Sequence, residues 1–125
     1  MVSEQVVQSY ILEKLNEIPF SEWVKPTTTN KAGTQDILGH IRGYYIAIEV
    51  KRNDEDKNDA VPSKLQRYRI AETNRKGGFS FWTNSWKDAL AHLHSFARTK
   101  GFDLYNKPAR DYTKKKKISP HELFL

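Results

Sequence analysis

The stretch Gly33–Arg52, GTQDILGHIRGYYIAIEVKR, decides the fold. Ile37, Ile41, Tyr44, Ile46, Ile48 and Val50 fall on alternate positions around Arg42-Gly43, the pattern of two half-buried strands joined by a tight turn. With a two-residue loop, paired residues have numbers summing to 85, so Asp36 stands directly opposite Glu49. Opposed side chains have Cβ atoms about 4.5–5.5 Å apart, close enough for two carboxylates to clasp one cation. Lys51, two residues beyond Glu49, points to the same face, while Ile37, Ile46, Ile48 and Val50 turn the other way into a core. A one-residue slip would send Asp36 to the opposite side. The acid pair therefore depends on the length of the turn.

Outward from the hairpin, the N-terminal side reads as a helix and a short strand. Ser3 caps a helix running to about Glu17, with Glu4 in its first turn, where the helix dipole favours an acid. Val6, Val7, Tyr10, Ile11, Leu15 and Ile18 form its inward stripe, and Pro19 ends it. Glu22 to Thr28 is rich in β-formers, but Pro26 limits it to an edge or short strand.

On the C-terminal side, Asn53–Ala60 (NDEDKNDA) has no apolar residue except its last and reads as a surface loop beside the acidic face. Ser63 and Gln66 have capping-box spacing, and a helix follows to about Arg75, with Leu65, Tyr68, Ala71 and Ile70 as its inward candidates. Gly77-Gly78 stops it, and Phe79–Thr83 (FSFWT) makes a short buried strand. A last helix, capped at Asn84 or Ser85, carries Trp86, Ala89, Leu90, Leu93, Phe96 and Ala97 at strict helical spacing. The order is helix, three strands, helix, strand, helix. The helix between the third and fourth strands implies a crossover, hence a mixed sheet covered on both faces. Residues 1–100 read as one α/β domain and residues 101–125 as a basic C-terminal extension ending in Leu123, Phe124 and Leu125.

The totals narrow the function classes. The chain has 125 residues and no cysteine, so disulfides and thiolate metal sites are excluded, and any metal must be held by oxygen or imidazole. His92 and His94 diverge on their helix, so no zinc site is inferred there. The opening MVSEQVVQSY lacks the basic start and apolar run of a signal peptide, and no segment approaches the ~20 apolar residues of a membrane span. A cytoplasmic protein with no membrane partner is expected. Twenty-one Lys and Arg against fifteen Asp and Glu give a net charge of +6, which favours a polyanion partner.

Asp36 and Glu49, with the main-chain carbonyl of Val50, make a sparse oxygen site of the kind Mg²⁺ or Mn²⁺ takes, with waters and a substrate phosphate completing the shell. Lys51 can stabilise an attacking hydroxide and the negative charge that develops on the phosphate oxygens. In Gly33-x-x-Asp36, twelve intervening residues and Glu49-Val50-Lys51, the chain resembles the PD-(D/E)xK nucleases. The likeness covers Ser3 to Phe96 in element order, and Gln66 is similar to a recurrent glutamine in the VRR-NUC (virus-type replication-repair nuclease) branch and in archaeal Holliday-junction resolvases. Position 35 is Gln where the motif has proline, and residues 101–125 match nothing in the family.

What the resemblance implies is a restriction-endonuclease-like αβββαβ core and a metal-dependent DNA endonuclease. Asp36, Glu49, Val50 and Glu4 are its candidate metal-site residues. Lys51 and Gln66 complete the catalytic set with the two acids. Expected substrates are junctions, flaps or other branched DNA in replication, recombination or repair, that of a phage in its host's cytoplasm included, cut by a homodimer. Lys31, Arg52, Lys64, Arg67 and the run Lys114, Lys115, Lys116 and Lys117 are the candidate DNA contacts. Two alternatives stand beside this: a sequence-specific restriction or homing-type endonuclease, and a DNA-binding module that keeps the fold without turnover. Glu4 reads as a helix-start acid before it reads as a metal ligand, and Gln66 reads as a capping partner and a site residue alike.

Overall fold

Arg42 and Gly43 both adopt positive φ, 51° and 84°, as a two-residue type I′ hairpin turn requires. In the computed structural model, which describes residues 3–27, 29–52 and 61–106, this turn joins β2 (Ile37–Ile41) to β3 (Tyr44–Val50). The antiparallel register runs from Ile37↔Ile48 to Ile41↔Tyr44, every pair having the expected sum. The segment 53–60 and the lysines at 114 to 117 lie outside the described residues.

Four strands line up in the order β1-β2-β3-β4, where β1 is Ser21–Val24 and β4 is Phe79–Thr83. The first three are antiparallel, and β3 and β4 are parallel because α2 (Lys64–Arg75) intervenes as a crossover. β1 is a short edge strand, as expected from Pro26, stopping before that residue, which has no N–H to offer a ladder.

One face of the sheet carries Ile37, Ile41, Ile46, Ile48, Val50 and Phe81 into a core completed by α1 (Glu4–Leu15) and α3 (Trp86–Thr99). Ser3 caps α1 through its hydroxyl, which accepts the Val6 N–H. Val7, Ile11, Leu15 and Ile18 are buried, but Val6 and Tyr10 are exposed, each lying one helical step of about 100° off that stripe. On α3, Ala89, Leu93, Phe96 and Ala97 are buried, with Trp86 and Leu90 packed against the core as expected. The core reaches beyond Gly101 to Leu104, and the Arg42 guanidinium lies 4.1 Å over Phe102 while donating to the carbonyls of Asp103 and Asn106.

The opposite face meets α2, and here the expected packing fails. No residue of α2 is buried; of its four inward candidates Leu65, Tyr68 and Ala71 are exposed and Ile70 is half-buried. Tyr68 directs its hydroxyl to Glu72, whose carboxyl that hydrogen bond and Lys76 hold down to about 2. Polar side chains seat the helix instead: Asn74 exchanges two 2.8 Å hydrogen bonds with the main chain of Ser80, and Arg69 donates to the Ala32 carbonyl at 2.9 Å. Counting apolar residues could not find this face because its contacts are hydrogen bonds. Trp82, expected inside, is 36% exposed, since β4 is an edge strand.

Candidate functional site

The side chains facing α2 come from the odd positions of β3, Ala47 and Glu49, with Lys51 following just past the strand's end. Asp36 lies one residue before β2, and the ladder projects it across from Glu49. Its Oδ2 accepts the Val50 N–H at 2.8 Å, so the carboxylate takes the donor next in line to Glu49. Val50 thus enters the site through its N–H as well as standing between Glu49 and Lys51.

Glu49 is 1% exposed. Its Oε1 accepts a 2.7 Å hydrogen bond from Gln66 Nε2, and its buried Oε2 has no donor to accept from. Burial, chiefly, pushes its carboxyl up to about 8, and the charge of Asp36, the hydrogen bond that the protonated acid makes with Asp36 and the charge of Glu4 push the same way, against Lys51. An acid so placed either keeps a proton or takes a cation.

Gln66 does both of the things open to it, at once. Its Oε1 accepts the Ser63 N–H at 2.8 Å, its own N–H donates to Ser63 Oγ, and its Nε2 is left for Glu49. The capping box consumes the carbonyl end and so dictates which end of the amide faces the acid. The crossover brings α2 close because Gly33, at φ 76°, has no Cβ; one there would lie 2.8 Å from Leu65 Cγ.

Lys51 is buried, and its N–H donates to the Thr83 carbonyl at 2.8 Å, fixing the chain just past β3. Glu4 comes within electrostatic reach from the first turn of α1. Its carboxyl is raised, mostly by burial, with Lys51 and Arg52 opposing and Asp36 reinforcing the rise. Among the described residues, no three His, Cys, Asp or Glu side chains gather into a metal-holding cluster. The donor set is therefore two carboxylates with an orphaned buried oxygen, which fits a hard cation that keeps waters and suits no all-protein cage.

Lys64 and Arg67 are exposed at the start of α2, on either side of Gln66, and Lys31 is exposed on the loop before β2. Arg52 is half-buried beside Lys51 and within electrostatic reach of Glu4. His40, which shares the Asp36 face, approaches Glu22 at 3.5 Å, away from the acids.

Gln35 has a larger part than its sequence position suggested. It is 5% exposed, and its Nε2 reaches Thr73 Oγ1 at 2.9 Å, Ser80 Oγ at 3.0 Å and the Arg69 carbonyl at 3.3 Å. No periodicity marks it, since all its partners lie 34 or more residues away.

No family model matches the chain, nor does any curated protein. Among solved structures, one described as a VRR_NUC domain is similar at 22% identity and a TM-score of 0.60, over 74% of this chain and 96% of that one. The fold is thus the mixed-sheet α/β fold of that domain, a four-stranded sheet with three helices around it, as expected of a restriction-endonuclease-like core.

Proposed function

We propose that the protein is a metal-dependent DNA endonuclease that hydrolyses phosphodiester bonds, selective for branched DNA such as a junction or flap. The observation that carries this reading is the orphaned Oε2 of Glu49, buried beside Asp36 with Lys51 next in line. The likeness of the fold to a VRR_NUC domain supports it.

Asp36, Glu49 and the Val50 carbonyl would hold Mg²⁺ or Mn²⁺, with Glu4 near enough to act through water. When bound, such a cation polarises the phosphoryl oxygens and makes a water more acidic. The chain's own groups do the rest. The Val50 N–H holds Asp36 in place, and Gln66 orients Glu49. The Lys51 ammonium stabilises the negative charge that builds on the attacking oxygen and on the phosphate. Lys64, Arg67, Lys31 and Arg52 grip flanking phosphates, joined by Lys114, Lys115, Lys116 and Lys117 of the C-terminal extension.

A single small site with one sheet around it leaves little surface for reading a long sequence. Two copies related by a two-fold axis would address two strands of a branched substrate, so a homodimer acting in replication, recombination or repair follows. A cytoplasmic setting, the host's if the protein is viral, belongs to the same reading.

The test is cleavage of labelled linear duplex, single strand, flap and four-way junction with Mg²⁺, Mn²⁺ or chelator. Metal-dependent cutting of branched forms that is lost in Glu49→Ala and Lys51→Ala is expected. Binding without cutting under every condition would refute catalysis and leave a DNA-binding module. Preference for one linear sequence would refute branch selectivity.

A further inference from the structure

Asp36 sits outside the β2 ladder, yet its carboxylate must meet both the Val50 N–H and Glu49. The residue before it supplies the constraint. The Thr73 hydroxyl donates to the Arg69 carbonyl at 3.0 Å and the Ser80 hydroxyl to the Ala47 carbonyl at 2.8 Å, so both oxygens are left as acceptors for the two N–H groups of Gln35. One buried amide therefore ties the segment carrying Asp36 to α2 through Thr73 and to β4 through Ser80, and Ser80 extends the chain to β3 two residues before Glu49.

α2 has no buried residue, so hydrogen bonds carry much of its seating on the sheet. Losing one of them shifts a helix whose Gln66 amide reaches Glu49 at 2.7 Å. Gln35 thus acts on both acids: on Asp36 through the adjoining backbone, and on Glu49 through α2 and Gln66. We propose that Gln35 is a positioning residue that sets Asp36 and Glu49 in register for a divalent cation, through a buried hydrogen-bond network with Thr73 and Ser80. This rests on the proposed metal site.

Titration calorimetry with Mn²⁺ alone, on the full chain without DNA, tests it. Gln35→Met keeps the length of the side chain and removes its hydrogen bonds, and Thr73→Val removes one acceptor with almost no change of shape. Outer partners of metal ligands typically contribute 10- to 100-fold in affinity. Gln35→Met should weaken Mn²⁺ binding about tenfold or more, Thr73→Val should weaken it in the same direction, and the double variant should fall no further than Gln35→Met alone. Thermal unfolding in chelator, measured in parallel, checks that the variants remain folded. A folded Gln35→Met or Thr73→Val protein that binds Mn²⁺ as tightly as the parent would overturn the role of Gln35 while leaving the metal site intact. Should Gln35→Met fail to fold, Thr73→Val decides alone. Failure of the parent chain itself to bind Mn²⁺ would overturn the metal site and this inference together.

Discussion

Glu49 links the electrostatics of the site to the stability of the whole chain. Its carboxyl lies at about 8 in the folded protein against an ordinary 4.5, so the folded state binds the proton more tightly than the unfolded state does. In the metal-free protein, this group's favourable contribution is complete below about 4.5 and is lost as pH rises through about 8. The loss is on the order of a few kcal/mol. Urea unfolding in chelator at pH 5, 7 and 9 should show falling stability, with the slope much reduced in Glu49→Gln; an equal slope in both proteins would show that another group is responsible. Metal binding should release a proton and tighten as pH approaches about 8, which calorimetry in buffers of different ionisation enthalpy reads directly. Lys51→Ala should leave Mn²⁺ binding in place and lower the cleavage rate by ~10²–10³, the usual loss when one group stabilising developing charge is removed.

At the scale of the element, the α2 entrance combines a helix cap with a side chain of the site. Ser63→Ala removes the oxygen that accepts the Gln66 N–H and should lower stability by about 1 kcal/mol, with metal affinity unchanged. Gln66→Ala also leaves a buried Glu49 oxygen without its donor, adding about 1–3 kcal/mol and weakening Mn²⁺ binding. Equal losses from the two variants would mean that Gln66 is only a cap. The hairpin was legible in the sequence because strand alternation and an Arg-Gly turn are local signals; the observed positive φ at both turn residues preserves the register on which the acids depend. α3 was legible for the same reason, since its apolar period matches its buried face. α2 was legible as a helix, through its capping box, but its orientation was not. Its apolar residues Leu65 and Tyr68 stay exposed while Thr73, Asn74 and Gln66 make the contacts.

For the whole molecule, the net charge of +6 and the exposed Lys64 and Arg67 bear on substrate affinity. Each lysine or arginine that neutralises a phosphate should contribute about −0.9 to the log–log slope of DNA affinity against salt. Lys64→Ala and Arg67→Ala should each flatten that slope by about this amount, in binding measured without metal across a range of NaCl. An unchanged slope would remove α2 from the DNA path. A mass in solution of two chains is expected of the proposed homodimer, and a mass of one chain would withdraw it.

The sequence by itself determined the order of elements and, for a two-residue turn, the parity that sets Asp36 across from Glu49 with Lys51 on their face, because each follows from neighbours within a strand or hairpin. Only the structure decided that the turn has two residues, that one buried Glu49 oxygen has no donor, that Gln66 caps and reaches the acid together, and that Gln35 ties three segments. The last three are contacts between side chains brought together by the crossover. A hydrogen bond across 34 residues or more leaves no period in the chain, whereas a pleated strand writes its faces into every second residue.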